Sequence, residues 1–173
     1  MSGILSKTVP SLEGRRLDAF RQHLVVANAV RHIEEGDVVL ACTRNHATLK
    51  LISDHVETLA NVTVVAGGCD YLDGAVMFFV RRKGKNLTLP LASHYHPEIQ
   101  VPTDCNPGDL AVGETIAASP PQAIVNTNMV AAVMLAVLRR LTEDFLDPCE
   151  FYIEANLPRV VDRQRLISKS EGR

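Results

Sequence analysis

The sequence predicts an α/β fold with a mostly parallel sheet extended by an antiparallel hairpin. Three stretches predict it. Residues 37–66 read as strand, helix, strand. Residues 75–91 read as two strands about a polar link. An alanine-rich helix over about 121–145 then precedes a short last strand. A strand–helix–strand unit makes its two strands parallel through a right-handed crossover, whereas a short polar link returns the chain antiparallel.

Residues 1–16 are mixed in character and lead into the domain at 17–155; residues 156–173 are a polar, arginine-rich tail expected to fray. From Leu17 to Ile33 the apolar positions Leu17, Phe20, Leu24, Ala27, Val30 and Ile33 approximate helical spacing, most clearly over Val25–Glu35. Gly36 follows, where a helix end favours glycine. Asp37–Ala41 is a short run rich in β-branched residues and reads as a strand buried on both faces. Asn45 suits the N-cap of a helix from His46 to about Leu59, with Leu49, Ile52, Val56 and Leu59 inward. Val62–Ala66 is the second buried strand, closed by Gly67 and Gly68.

Ala75–Arg82 and Leu87–Leu91 then flank the polar turn Lys83–Asn86. Residues 93–121 hold five prolines and two glycines and read as a long irregular connection; loops of this length are functional or disordered. Pro121 suits the first turn of the next helix. The run Val130–Val137 suggests a helix buried on most sides, and Phe151–Ile153 reads as the final strand.

The bulk properties exclude several function classes. A chain of 173 residues with 46% hydrophobic and 22% charged residues has the balance of one globular domain. The formal charge of −2 leaves no basic footprint for nucleic acid. The longest uninterrupted apolar run, Met129–Leu138, is half of what a membrane span needs. The first residues carry no signal-peptide pattern, so a cytoplasmic location is expected. Cys42, Cys69, Cys105 and Cys149 form no C-x-x-C pair, so no structural zinc site of short-spaced pairs is available.

Several residues in this order resemble the ThiF/MoeB/HesA family, the fold that activates ubiquitin-like proteins. They are Gly36-Asp-Val-Val-Leu-Ala-Cys-Thr-Arg-Asn-His-Ala-Thr48, Ala66-Gly-Gly68, Asp73-Gly74, His96-Pro-Glu-Ile99, and Pro121-Gln122 before an alanine-rich helix with Asn126 or Asn128. The resemblance runs from about Ala27 to Glu154 and implies a Rossmann-like sheet whose N-terminal, nucleotide-binding half is missing.

In that family ATP and magnesium adenylate the C-terminal carboxylate of a small β-grasp protein. A Gly-rich loop cradles the phosphates, an acidic residue holds the ribose and an aspartate holds the metal. This chain has no G-x-G-x-x-G. Arg44 stands where the resemblance places the magnesium aspartate, Leu49 where it places an arginine, and Val112 where many members carry a cysteine nucleophile.

The resemblance therefore implies a degenerate ThiF-like domain that does not adenylate alone. It would bind a ubiquitin-like (β-grasp) protein or a second ThiF-like subunit, and dimers are expected. Two alternatives stand beside it. One is a split adenylyltransferase whose ATP and magnesium site a partner chain completes; the other is a small-molecule or nucleotide-binding module.

The candidate site residues follow. Arg44 lies at the carboxyl end of a parallel strand, where open α/β sheets bind ligands, and reads as an anion contact or as a solvated loop arginine. Asn45 reads as a helix cap or a nucleotide contact. Cys105, in the crossover loop, is the weak catalytic candidate, with no positive neighbour in sequence to activate it. Cys42 and Cys69 read as small packing residues. His94 and His96 alternate and read as ordinary hydrogen-bonded histidines, so no metal site is expected; a metal set with Cys69 or Asp104 is the competing reading.

Overall fold

A computed structural model describes residues 18–110, 124–143, 146 and 150–154, and the backbone of 159–162. Four helices accompany six strands among them: α1 (Val26–His32), β1 (Val38–Ala41), α2 (His46–Val56), β2 (Val62–Cys69), β3 (Asp73–Arg82), β4 (Lys85–Asn86), α3 (Pro97–Gln100), α4 (Ile124–Thr142), β5 (Glu150–Glu154) and β6 (Arg159–Asp162).

The fold is α/β, but its sheet is mixed and mostly antiparallel. The order is β1-β2-β3-β5-β6, with β4 on the far end of β3. Only β1 and β2 are parallel, in the register Val39↔Val64 and Ala41↔Ala66. The expected strand–helix–strand unit is therefore present, and the expected parallel majority is not. After one crossover, every later pairing is antiparallel, including β3 with β5 and β5 with β6.

The sheet separates two cores, as alternation along β2 requires. Val62, Val64 and Ala66 meet Leu49, Ile52 and Val56 of α2 and Ile99 of α3. Val65 and Cys69 face the other way, with Val76, Phe78 and Val80, toward Val130, Met134 and Val137 of α4. β2 runs on through Gly67 and Gly68, which were expected to close it. A Cβ on Gly67 would overlap the Met134 thioether, and one on Gly74 would overlap Val130, so both glycines admit α4 to close contact with the sheet.

Several sequence expectations shift for identifiable reasons. Helix α1 begins at Val26, not Leu17. Phe20 is exposed, and a short helix gains most of its stability from packing, so residues 18–25 stay non-helical. Helix α2 ends at Val56, and Leu59 packs against the core from beyond it.

Lys83 and Gly84 both take positive φ, so the hairpin turn is two residues long and the return strand is only Lys85–Asn86. The expected strand over 87–91 does not form. The Thr88 hydroxyl accepts the Val80 N–H at 2.9 Å in place of a ladder carbonyl, and Pro90 has no N–H to pair. In the long connection, α3 and a 3₁₀ turn over Pro107–Asp109 appear among the described residues. The tail is ordered at least over 159–162, where β6 pairs with β5.

β1 and α4 are less buried than their apolar character implies. Val39 and Ala41 pack on the α2 side, but Val38 and Leu40 are 55% and 46% exposed. The reason is lateral placement, since α4 covers β2, β3 and β5 rather than β1. Along α4 only Asn126, Val130, Met134 and Val137 are buried. That i, i+4, i+8, i+11 stripe is one helix face, and Ile124, Val125 and Leu135 remain exposed. By length and composition α4 would suffice to cross a membrane, and its buried stripe packs on the sheet.

Candidate functional site

The carboxyl ends of β1 and β2 open onto a turn, Thr43-Arg44-Asn45, that launches α2. Asn45 is the N-cap, as its position predicts. Its Oδ1 accepts the Thr48 N–H at 2.8 Å and the Thr48 hydroxyl at 2.7 Å. Its Nδ2 donates to Asp104 Oδ2 at 3.0 Å and to the Cys105 carbonyl at 2.9 Å. Asp104 completes the arrangement: its carboxylate accepts the His46 N–H at 2.7 Å and the Ala47 N–H at 2.9 Å. Two N–H groups left over by the helical ladder are thus satisfied by an anion at the positive end of the helix dipole. The place where a phosphate would bind is taken by a side chain of the same molecule.

Arg44 lies over Gly68 and forms an ion pair with Asp70. Both side chains are about half exposed, 41% and 47%, so the pair adds little stability. Asp70 belongs to the β2–β3 turn, which Asn126 of α4 fastens. Asn126 is fully buried, and its Nδ2 donates to the carbonyls of Asp70 at 2.9 Å and Asp73 at 2.7 Å. The reversed amide would set its oxygen against two carbonyls, so this orientation is fixed. Its Oδ1 has no hydrogen-bond partner among the described residues.

Between this turn and α3 lies a cleft of about 240 Å³ on the α2 face of the sheet. Its floor is small and apolar, with Ala66, Gly68, Ala75 and Met77; Leu49 and Ile99 stand at its sides. One end carries Arg44, Asp70 and Asp73, and the other carries His96 and Glu98. His96 is 4% exposed, with Nε2 2.9 Å from Glu150 Oε1 and Nδ1 2.8 Å from Glu98 Oε1.

Neutral imidazole has one N–H, so two carboxylate partners require the doubly protonated ring. The bond to Glu150, joined by the bond to Glu98, overcomes burial and holds the His96 pKa above its ordinary value. For Glu98, burial acts upward, but the bond to His96, a backbone N–H and the positive charge of His96 leave it below the usual carboxylate range.

The alternative reading of a metal set at His94 and His96 finds no support in their surroundings. His96 is engaged by two glutamates, His94 stacks on Tyr95 with ring centroids 3.8 Å apart, Asp104 caps α2 and Cys69 faces α4. Among the described residues no three His, Cys, Asp or Glu side chains converge to hold a metal. Cys105 is exposed, and its carbonyl accepts the Asn45 amide. Cys42 is exposed rather than packed, whereas Cys69 is buried as expected. Val112 and Cys149 lie outside the described residues.

Sequence reading missed the capping role of Asp104 and the grouping of Glu98 and Glu150 around His96. Each is a contact across more than 50 residues, except for the His96–Glu98 spacing. That His-x-Glu spacing was the one local signal available.

No known family model matches this chain, and no curated protein matches it.

Proposed function

We propose that this chain is a ThiF-like domain that does not adenylate by itself and works by binding a protein partner, either a second ThiF-like subunit that supplies the ATP site or a β-grasp protein. The observation that carries the reading is β1. It ends the sheet, it is parallel to its neighbour, and on the α4 face its Val38 and Leu40 stay exposed. Val38 and Leu40 set two large apolar side chains on the same face of that strand in solvent. A terminal strand also presents a row of backbone donors and acceptors to an incoming strand. Both partner classes carry strands able to extend such an edge.

The surroundings of Arg44 support the non-catalytic part of the reading. A guanidinium has donors only and ligates no cation, so the residues at this position do not fit magnesium. Asp70 is already the partner of Arg44, and Asp104 fills the first turn of α2. These contacts neutralise the positive groups that would otherwise receive a phosphate.

The test is ATP–pyrophosphate exchange by the purified chain, alone and with a β-grasp protein. No exchange and no calorimetric response to Mg-ATP are expected. Robust exchange by the pure chain overturns the proposal.

A further inference from the structure

On the face of the sheet opposite the cleft, a second and smaller cavity of about 160 Å³ lies between the strand ends and α4. Its lining is unusual in its donor atoms. Among the described residues it is lined by Cys42, Cys69 and Met134, with Thr127, Val130 and Ala131, and by no aspartate, glutamate or histidine. The backbone explains the convergence. Cys42 and Gly67 come one residue past the last parallel register pair, Ala41↔Ala66. Cys69 follows Gly67 by two residues and so shares its face. Met134 reaches the sheet above Gly67 because that residue has no Cβ. Cys69 Sγ is 3.5 Å from the Thr127 hydroxyl, which anchors that thiol beside α4.

We infer that Cys42, Cys69 and Met134 form a site for a soft monovalent metal ion, copper(I). The donor set decides the class. Magnesium and calcium need oxygen ligands, and zinc closes a tetrahedron of thiolates, imidazoles or carboxylates. Thiolate with thioether selects copper(I), for which two or three sulfurs suffice. On binding, two Cu–S bonds form to the cysteines as both S–H protons leave to solvent, and the thioether donates a lone pair. No electron is transferred. The Cu(thiolate)₂ unit carries one negative charge.

The site is independent of the partner reading, because it needs neither β1 edge pairing nor nucleotide. The test is an anaerobic titration of the full chain with copper(I) against a chromophoric chelator, with copper X-ray absorption on the loaded protein. One tightly held ion with a sulfur-only shell is expected.

Removal of an outer-shell partner alone lowers metal affinity by roughly 10- to 100-fold. Cys42→Ser and Cys69→Ser each remove a ligand and are expected to lose about 100-fold, and Met134→Leu about tenfold, with Cys105→Ser unchanged. Met134→Leu conserves volume and Cys42 is exposed, so these two variants decide the matter even if Cys69→Ser fails to fold. Equal affinity in Met134→Leu and Cys42→Ser, loss on Cys105→Ser, or a shell containing nitrogen or oxygen overturns the proposal.

Discussion

The Asp104 carboxylate sits on the first turn of α2, accepting the N–H groups of His46 and Ala47, although 57 residues separate it from Ala47. It joins the connection after α3 to the start of a helix beneath the cleft. Removing it leaves two donors without their anion and takes away one of the two acceptors of the Asn45 amide. Asp104→Ala is expected to cost about 1–2 kcal/mol, the range of a lost N-cap. Asp104→Asn retains one acceptor oxygen and should cost less. Urea denaturation of both variants measures this, and equal stability of Asp104→Ala and the parent would show that the contact contributes nothing.

Asn126 is fully buried and bonded to two carbonyls of the β2–β3 turn. Asn126→Ala removes both bonds, leaving the part-buried Asp70 carbonyl without this donor, whereas the Asp73 carbonyl keeps the Asp70 N–H. A buried group deprived of its partner costs about 1–3 kcal/mol. The loss should exceed that for Arg44→Ala, which breaks only a half-exposed ion pair worth at most about 1 kcal/mol. Amide exchange should also quicken over residues 69–74 in Asn126→Ala and stay unchanged over α2.

The balance between these two residues shows what the sequence disclosed. Asn45 was legible as a cap because capping depends on a residue type and three following positions. The β1–α2–β2 unit was legible for the same reason: its hydrophobic periods are local. The antiparallel majority was not. A buried run such as Val62–Ala66 has the same texture whether its second neighbour runs parallel or antiparallel, because burial on both faces erases alternation. Exposure of Val38 and Leu40 depends on where α4 lies across the sheet, and no residue in β1 encodes that. Asp104, Asn126 and Glu150 act at long range and carry no local pattern beyond their polarity.

The His96 group sets a pH window. His96 gains Glu150 and Glu98 on folding, so its folded-state pKa is raised. The stability it brings is complete below about pH 6.5, its ordinary value, and is lost as pH rises through the folded-state value. Glu98 is lowered, so its contribution is present above its ordinary value and is lost as pH falls through the folded one. Stability from the cluster is therefore greatest between about pH 4.5 and 6.5. The charged and titratable groups at hand are Glu98, Glu150, Tyr152 and, toward Glu98, His46. Thermal melts across this range should show the decline above pH 6.5 in the parent and not in His96→Gln. A parallel decline in both would assign it to other groups.

Leu40 separates stability from binding. It is 46% exposed on a terminal strand, so replacing it removes little burial from the isolated chain. Leu40→Lys should change unfolding stability by no more than about 0.5 kcal/mol, as is usual at surface positions. Val65, on the same face of the neighbouring strand, is fully buried under α4. Val65→Ala removes two buried carbon atoms and should cost about 2 kcal/mol. If β1 docks a protein, the order reverses in a binding assay. Leu40→Lys places a charge in the contact and should abolish association, and Val65→Ala should bind nearly as the parent does. Sedimentation of each variant with a candidate ThiF-like subunit or β-grasp protein reads this directly. A complex that forms equally well with Leu40→Lys would move the docking surface away from β1.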